Sequence, residues 1–300
     1  MKKILVIGST VVDMIVNVDK LPTSKADIHI KSQKANMGGC AFNVYDIIAK
    51  FGCPNILFSP VGGGIYGGFV RNYFESNNIS TPISNVKGDN GCCYCFVEES
   101  GERTFVSYHG AEYLIHREWL DTIDSEEIHS AYICGLEIEE KTGEDIVSWL
   151  EDNRNFPVYF APGPRMTRID KSLLQHLFDI GVIVHLNEDE IAEYTGTGDL
   201  KRAMRELNRK THNTVIVTTG EKGACWYDGE NFYTARPVKA ETVADTIGAG
   251  DSHIGAVMAC LYKGMSMQKA VETANKVASR VVQTHGAQLS AEEFSAVFAD

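Results

Sequence analysis

The sequence lacks long apolar runs, repeats and an excess of basic residues. No apolar stretch approaches the length of a membrane span, so we do not expect a membrane-spanning helix. Lys and Arg together number 28 against 40 for Asp and Glu, a net charge of −12. Nucleic acid and anionic membrane surfaces would repel that charge, so we expect neither as a partner. A small anionic ligand remains possible, because backbone N–H groups can hold one locally.

The chain also lacks low-complexity runs and linkers rich in Pro or Ser, which predicts one core domain. Its 300 residues are 44% hydrophobic and 23% charged, values typical of a folded globular protein. The apolar stretch near the N-terminus covers only residues 4–7 before Gly8, too short for a secretion signal. We therefore read it as a first β-strand and expect a cytoplasmic protein.

Strand-like and helix-like segments alternate along most of the chain. Short apolar runs indicate buried parallel strands, and apolar residues at helical spacing lie between them. This alternation predicts an α/β fold with a doubly wound, mostly parallel sheet and helices on both faces. The predicted strands are 3–8, 55–61, 131–135, 157–160, 182–186 and 214–218, and the predicted helices are 41–51, 67–77, 143–153, 172–179, 200–210 and 266–283.

Two segments, 11–35 and 91–108, interrupt the alternation. The first has alternating stretches at 11–18 and 28–31, and the second has two strand-like runs around a hairpin turn at 99–102. They predict four short, antiparallel-looking strands in a small β-sheet lid, with 1–10, 36–90 and 109–300 forming the core. A plain edge extension is the alternative interpretation.

The strongest local motif is DTIGAGD at 245–251. Its small residues let the backbone approach a ligand, and the helical spacing that follows places the motif at a helix N-terminus. Free N–H groups at such a turn bind anions. Asp251 at the same place either caps the helix or accepts a proton from a hydroxyl, as phosphoryl transfer to an alcohol requires.

Three further motifs accompany it in order: GGCAFN at 38–43, NEDE at 187–190 and TTGEKG at 218–223. Together the four motifs resemble the signatures of the PfkB (ribokinase-like) family of carbohydrate and nucleoside kinases, and they cover most of the chain. The resemblance implies a ribokinase-like α/β fold with a β-lid. It also implies ATP- and Mg²⁺-dependent phosphotransfer to a primary sugar hydroxyl.

The resemblance also assigns roles to individual residues. Asp251 matches the catalytic base and Gly248, Ala249 and Gly250 match the anion hole. Because Asp251 begins a helix, we expect its ionised form to be favoured and the base to be weak at rest. The remaining matches are Asp13, Gly38, Gly39, Asn43 and Glu137 for the sugar, Asn187, Thr218, Gly220, Gly223 and Asn275 for ATP, and Glu190 for water-mediated Mg²⁺.

A second ion is implied at the C-terminal side. The stretch THGAQLS at 284–290 resembles the loop with which ribokinase-like enzymes close a potassium site. The alternative is that Asp245 and Ser290 merely cap a turn and a helix. The implied K⁺ ligands are the side chains of Asp245 and Ser290 and the backbone carbonyls of Ile247, Val281, Thr284 and Gly286.

The substrate stays open at this point. Cys40 and Tyr45 depart from the family pattern beside the expected sugar pocket, which argues against ribose specifically. The alternatives are a nucleoside kinase of the same family and a non-catalytic sugar or nucleoside sensor, although a sensor needs no base. Alternating apolar residues on the lid predict a homodimer formed through it.

Overall fold

A sheet of eight strands lies at the centre of the structure, a computed structural model that describes residues 1–299. Its strand order is β14-β13-β12-β11-β10-β9-β1-β4, and the strands from β12 to β4 are all parallel. An antiparallel hairpin, β13 and β14, extends one edge. The strands of this sheet are β1 (Lys3–Ile7), β4 (Asn55–Phe58), β9 (Ile128–Cys134), β10 (Val158–Ala161), β11 (Ile183–Asn187), β12 (Val215–Thr218), β13 (Ala224–Tyr227) and β14 (Phe232–Ala235).

Helices cover both faces of this sheet, as predicted. Two hydrophobic clusters are buried, one on each face of the sheet. In β1, Ile4 and Val6 belong to one cluster and Leu5 and Ile7 to the other, because a strand covered on both faces is apolar at every position. No helix within residues 1–299 is long and apolar enough to cross a membrane. The helices are α1 (Cys40–Lys50), α2 (Ile65–Ser76), α3 (Arg117–Leu120), α4 (Gly135–Glu139), α5 (Gly143–Asp152), α6 (Lys171–Ile180), α7 (Glu188–Thr195), α8 (Leu200–Thr211), α9 (Ala249–Tyr262), α10 (Met267–Val281) and α11 (Ala291–Ala296).

A separate four-stranded sheet, called the small sheet below, has the order β3-β2-β7-β8. Its strands are β2 (Val11–Asn17), β3 (Ser32–Gly38), β7 (Cys92–Val97) and β8 (Arg103–Tyr108). A third, two-stranded pairing joins β5 (Val61–Gly62) to β6 (Ser84–Val86).

Two expectations for the small sheet were wrong. Residues 28–31 are not a strand, because β2 pairs with β3 from Val11↔Gly38 to Asn17↔Ser32 and 18–31 connects the two. Hydrogen bonding to β2 thus makes a strand of the polar run SQKANMG, which has no strong strand pattern of its own. In addition, β2 and β7 are parallel, so the sheet is not antiparallel throughout.

The small sheet is attached to the core through a buried carboxylate. Glu112 accepts hydrogen bonds from the backbone N–H groups of Gly91, at 2.7 Å, and Gly110, at 3.1 Å, just outside β7 and β8. Burial raises the pKa of Glu112 to about 7. A Cβ on either glycine would overlap neighbouring backbone. The two glycines therefore allow the chain segments before β7 and after β8 to pack closely against each other.

Candidate active site

The carboxyl ends of the parallel strands carry most of the predicted site residues. The chain leaves β9 into α4, β11 into α7 and β12 into the turn at 219–223, all at one edge of the sheet. Ligands of open α/β sheets bind at this edge. The small sheet reaches the same edge, because β2 follows β1 after only three residues.

The DTIGAGD turn opens α9 as predicted. Gly248 lies just before the helix with φ 73°, and a Cβ there would overlap Ala287, so only glycine fits. No side chain of residues 1–299 caps α9, which leaves N–H groups of its first turn available to an anion. The Ala249 N–H points inward to the Thr246 carbonyl at 3.3 Å, so Gly250 and Asp251 supply the outward-facing donors.

Asp251 lies beside this turn and receives a hydrogen bond from Asn43 Nδ2 at 2.9 Å. Burial raises the pKa of Asp251 to about 6, although hydrogen bonds from Asn43 and Cys40 oppose the shift. The expectation that the helix N-terminus would keep this base weak was therefore wrong. Desolvation by the surrounding protein outweighs the helix N-terminus, and the resulting pKa suits a general base near neutral pH.

Asp13, Gly38, Gly39 and Asn43 come together on the small-sheet side of Asp251. A Cβ on Gly38 would overlap the Asp13 carboxylate, and Gly39, with φ 99°, lies against the backbone of Ser9. Burial raises the pKa of Asp13 to about 6, helped by the charges of Asp245 and Asp251. This cleft, the name used below for the group of Asp13, Gly38, Gly39 and Asn43, combines carboxylate and carboxamide groups with glycine backbone, which is suited to a polyhydroxy ligand.

Glu137 lies behind this cleft. It is 1% exposed, and its Oε1 accepts the N–H of Ser9 at 2.8 Å. Its Oε2 has no hydrogen-bond partner among residues 1–299, and burial raises the pKa of this carboxyl above its usual value. Tyr45, expected beside the sugar pocket, instead lines a surface groove with Lys3 and Asn55 on another part of the core.

On the other side of the α9 turn lies a cavity of about 580 Å³. The predicted ATP-binding residues Thr218, Gly220, Gly223 and Asn275 all line it, together with Ala249 and Gly250 of the turn. Its apolar walls come from residues that no motif indicated: Pro237, Val238, Val243, Ala278 and Val282. Asn275 and Ala278 on α10 and Val282 just after it recur at helical spacing, and this spacing is the sequence signal that could have indicated the wall.

Asn275 is held by a buried polar chain. Its Nδ2 donates to the Arg236 carbonyl at 2.9 Å, and its Oδ1 lies 3.2 Å from His253 Nε2. His253 Nδ1 in turn lies 3.0 Å from His185 Nε2. Burial lowers the pKa of His253 to about 4, so this chain is uncharged at neutral pH.

Asn187 and Glu190 do not line the cavity, and their side chains bond to each other's backbone. Asn187 Oδ1 accepts the Glu190 N–H at 2.8 Å and Glu190 Oε2 accepts the Asn187 N–H at 2.9 Å, a capping box that begins α7. Burial raises the pKa of Glu190, and its charge also contributes to the raised pKa of Asp251. The water-mediated Mg²⁺ role of Glu190 stays a prediction.

The two loops of the predicted K⁺ site are in contact. The N–H groups of Ala244 and Asp245 both donate to the Val282 carbonyl, at 2.8 and 3.2 Å. The Thr284 hydroxyl lies 2.9 Å from the Val281 carbonyl oxygen and 3.4 Å from that of Gly286.

The proposed carboxylate and hydroxyl ligands of that site already have protein partners. Asp245 Oδ1 accepts the Ile247 N–H at 3.0 Å and pairs with the Arg103 guanidinium on β8, a partner that no motif indicated. The Ser290 hydroxyl accepts the Glu293 N–H at 3.1 Å and caps α11. Among residues 1–299, no three His, Cys, Asp or Glu side chains converge as a metal-binding cluster.

The chain is similar to known proteins along almost its whole length. The family described as pfkB family carbohydrate kinase matches residues 1–293. An uncharacterized sugar kinase of Escherichia coli, YegV, is 33% identical over 289 residues, covering 95% of this chain and 90% of that protein. Two solved structures share the fold. One is the Arabidopsis thaliana ribokinase complexed with ribose and ATP (TM-score 0.79, 18% identity, all of both chains). The other is adenosine kinase from Sinorhizobium meliloti (TM-score 0.85, 20% identity, 100% of this chain and 99% of that one).

Proposed function

The chain belongs to the pfkB family of carbohydrate kinases, phosphotransferases that act on hydroxyl groups, and we propose that it transfers the γ-phosphate of ATP to a primary hydroxyl of a sugar. One observation carries the proposal. The Asp251 carboxylate and the uncapped turn of α9 have the polar residues Asp13 and Asn43 on one side and a nucleotide-sized cavity on the other. A hydroxyl and a phosphoryl group entering from opposite sides would meet at this turn.

Each part of the turn has a task in such a transfer. The N–H groups at Gly250 and Asp251 would take up negative charge on the moving phosphoryl group. Asp251 would accept the hydroxyl proton, and its pKa of about 6 leaves it ionised at neutral pH. Mg²⁺, when bound with the nucleotide, would neutralise phosphate charge, and Glu190 would order it through water.

The charge of the cleft favours a neutral acceptor. Asp13, Asp245 and Asp251 lie close enough for the latter two to raise the pKa of Asp13, and Arg103 is already paired with Asp245. A sugar acid or sugar phosphate would add a negative charge to this group. A nucleoside is also neutral, and the likeness to an adenosine kinase keeps it as the second candidate.

Phosphate transfer assayed over ribose, fructose, a 2-keto sugar acid and several nucleosides tests the proposal. We expect ATP turnover that depends on a neutral sugar. Turnover with nucleosides alone would select the second candidate. Acceptor binding without ATP turnover would indicate a sensor.

The small sheet is the proposed lid, and we expect it to form a homodimer. Its edge strand β8 exposes residues on both faces: Phe105 is 50%, Val106 55% and Tyr108 66% exposed. An unpaired apolar edge of this kind usually has a partner. Light scattering at micromolar concentration should show a dimer that Val106→Lys converts to a monomer.

The control for the dimer is Ile65→Lys, because Ile65 on α2 is 85% exposed and lies outside the small sheet. This variant should remain dimeric. A monomeric wild-type protein would contradict the prediction, as would equal effects of the two substitutions.

We expect a monovalent cation, K⁺, to activate the enzyme. It would bind Asp245 and neutral oxygens of the 281–290 loop, and so fix the turn that faces the phosphate. Arg103 neutralises Asp245 in the structure, so the cation must share this carboxylate or displace the guanidinium. Initial rates in K⁺ should exceed those in a bulky organic cation by about fivefold, a typical coupling between two sites.

Ionic strength is matched across K⁺, Na⁺ and tetramethylammonium in that assay. Equal rates with all three cations would contradict the predicted K⁺ site but not the kinase assignment. They would also indicate that Arg103 supplies the positive charge at Asp245.

A further inference from the structure

Gln288 touches the proposed active site although no motif assigned it a role. Its Nε2 donates to Asn43 Oδ1 at 2.6 Å, and Asn43 Nδ2 donates to Asp251 Oδ2 at 2.9 Å. We propose that Gln288 is a positioning residue that sets the orientation of the Asn43 amide and thereby the hydrogen bond to the catalytic base. The part concerning catalysis rests on the proposed function.

The hydrogen-bond donors and acceptors of Gln288, Asn43 and Asp251 can be paired in only one arrangement. An ionised carboxylate only accepts hydrogen bonds, so Asn43 must turn its NH₂ group toward Asp251. Its carbonyl oxygen then faces Gln288, which must present a donor. A flipped Asn43 amide would place an oxygen against the carboxylate and an NH₂ against an NH₂.

The loop that carries Gln288 is held by contacts of its own. Ala287 packs so closely on Gly248 that any Cβ there would overlap it, Leu289 is buried, and Ser290 caps α11. Gln288 is thus fixed relative to both the anion-binding turn and Asn43. Polar groups positioned by a packed supporting shell keep their geometry through the reaction.

A direct consequence concerns the acidity of Asp251. The hydrogen bond from Asn43 favours the ionised form and opposes the effect of burial, which raises the pKa of Asp251. Without Gln288, the Asn43 amide is free to rotate and the hydrogen bond weakens. The pKa of Asp251 should then rise further.

The first measurement is the pKa of Asp251. It is determined by ¹³C NMR of the carboxyl carbon during a pH titration of the substrate-free protein, a readout that requires no activity. Gln288→Met should raise this pKa by about one unit, the size expected for loss of a charge-assisted hydrogen bond. Gln288→Glu, which cannot donate to Asn43 when ionised, should raise it more. Gln175→Met is the matched control, because Gln175 is exposed and its side chain donates to Asp179 of its own helix, far from Asp251 in the fold.

The second measurement is kcat/KM for the acceptor across pH. Gln288→Met should lower kcat/KM by about tenfold at pH 6 and shift the acidic limb of its profile toward higher pH, as a misplaced supporting group does. In an Asn43→Ala background, Gln288→Met should have no further effect on the pKa of Asp251, because Gln288 acts through Asn43. Circular dichroism confirms that each variant folds, and Gln288→Glu carries the test should Gln288→Met not fold.

An unchanged pKa of Asp251 in folded Gln288 variants would overturn the inference, and so would a full effect in the Asn43→Ala background. The proposed function fails separately. If wild-type protein transfers phosphate to no acceptor while the pKa still responds to Gln288, the positioning role stands and the kinase proposal does not.

Discussion

Asp251→Asn should lower kcat for phosphotransfer by about 10²- to 10⁴-fold, or roughly 3–5 kcal/mol of barrier. The substitution keeps the size of the side chain and its hydrogen-bonding reach, but the amide cannot accept the hydroxyl proton. Asn43 Nδ2 would still find an oxygen at the position of Asp251 Oδ2. Steady-state kinetics with saturating ATP and acceptor measure the effect.

The pH profile separates loss of the base from misfolding. In wild-type protein kcat/KM for the acceptor should fall as pH drops through about 6, because the raised pKa of Asp251 leaves the carboxylate protonated below that value. In the Asp251→Asn variant, the decrease in rate that protonation of Asp251 causes at acidic pH should be absent. Asp189→Asn, an exposed acid in the first turn of α7, is the matched control and should behave as wild type. Near wild-type turnover in Asp251→Asn, with unaltered ATP binding, would contradict the mechanism.

The sequence was sufficient to predict the parallel core of the fold. Strands covered on both faces, such as β1, must be apolar at every position, so their runs stand out against amphipathic helices. Helix boundaries were predictable for a similar local reason: Asp170 caps the start of α6 and Gly181 ends it in the left-handed conformation. The ribokinase-like likeness of the solved structures confirms the predicted fold.

The small sheet was harder to predict because pairing, not composition, defines it. The strand β3 is polar and largely exposed. Backbone hydrogen bonds set its register with β2, and such bonds require no alternation of apolar and polar residues in the sequence. The apolar residues Ile28 and Ile30 mimic a strand, yet they lie in the connection.

The missing parts of the candidate site are partners distant in sequence. Arg103 and Asp245 are 142 positions apart, and Gln288 and Asn43 are 245 apart. A motif consists of residues close together along the chain. The motifs therefore indicated Asp251 and Asn43, but not the distant residues Arg103 and Gln288 that position the site. Similarly, the raised pKa of Asp251 depends on burial by surrounding elements, whereas the sequence showed only the helix N-terminus.

Asp13→Ala should raise the KM for the acceptor by about 10- to 150-fold, the cost of losing hydrogen bonds to a charged group, while the KM for ATP stays unchanged. Asp13 lies over Gly38 on the small-sheet side of Asp251, and the nucleotide cavity lies on the other side. Removing the carboxylate leaves acceptor hydroxyls unpaired without touching the cavity walls. Asn17→Ala is the control, because Asn17 is a polar residue on the same strand whose side chain donates to Ser32 on β3. Initial rates over a matrix of both substrate concentrations separate the two constants, and a change confined to ATP would show that the two binding sites have been assigned in reverse.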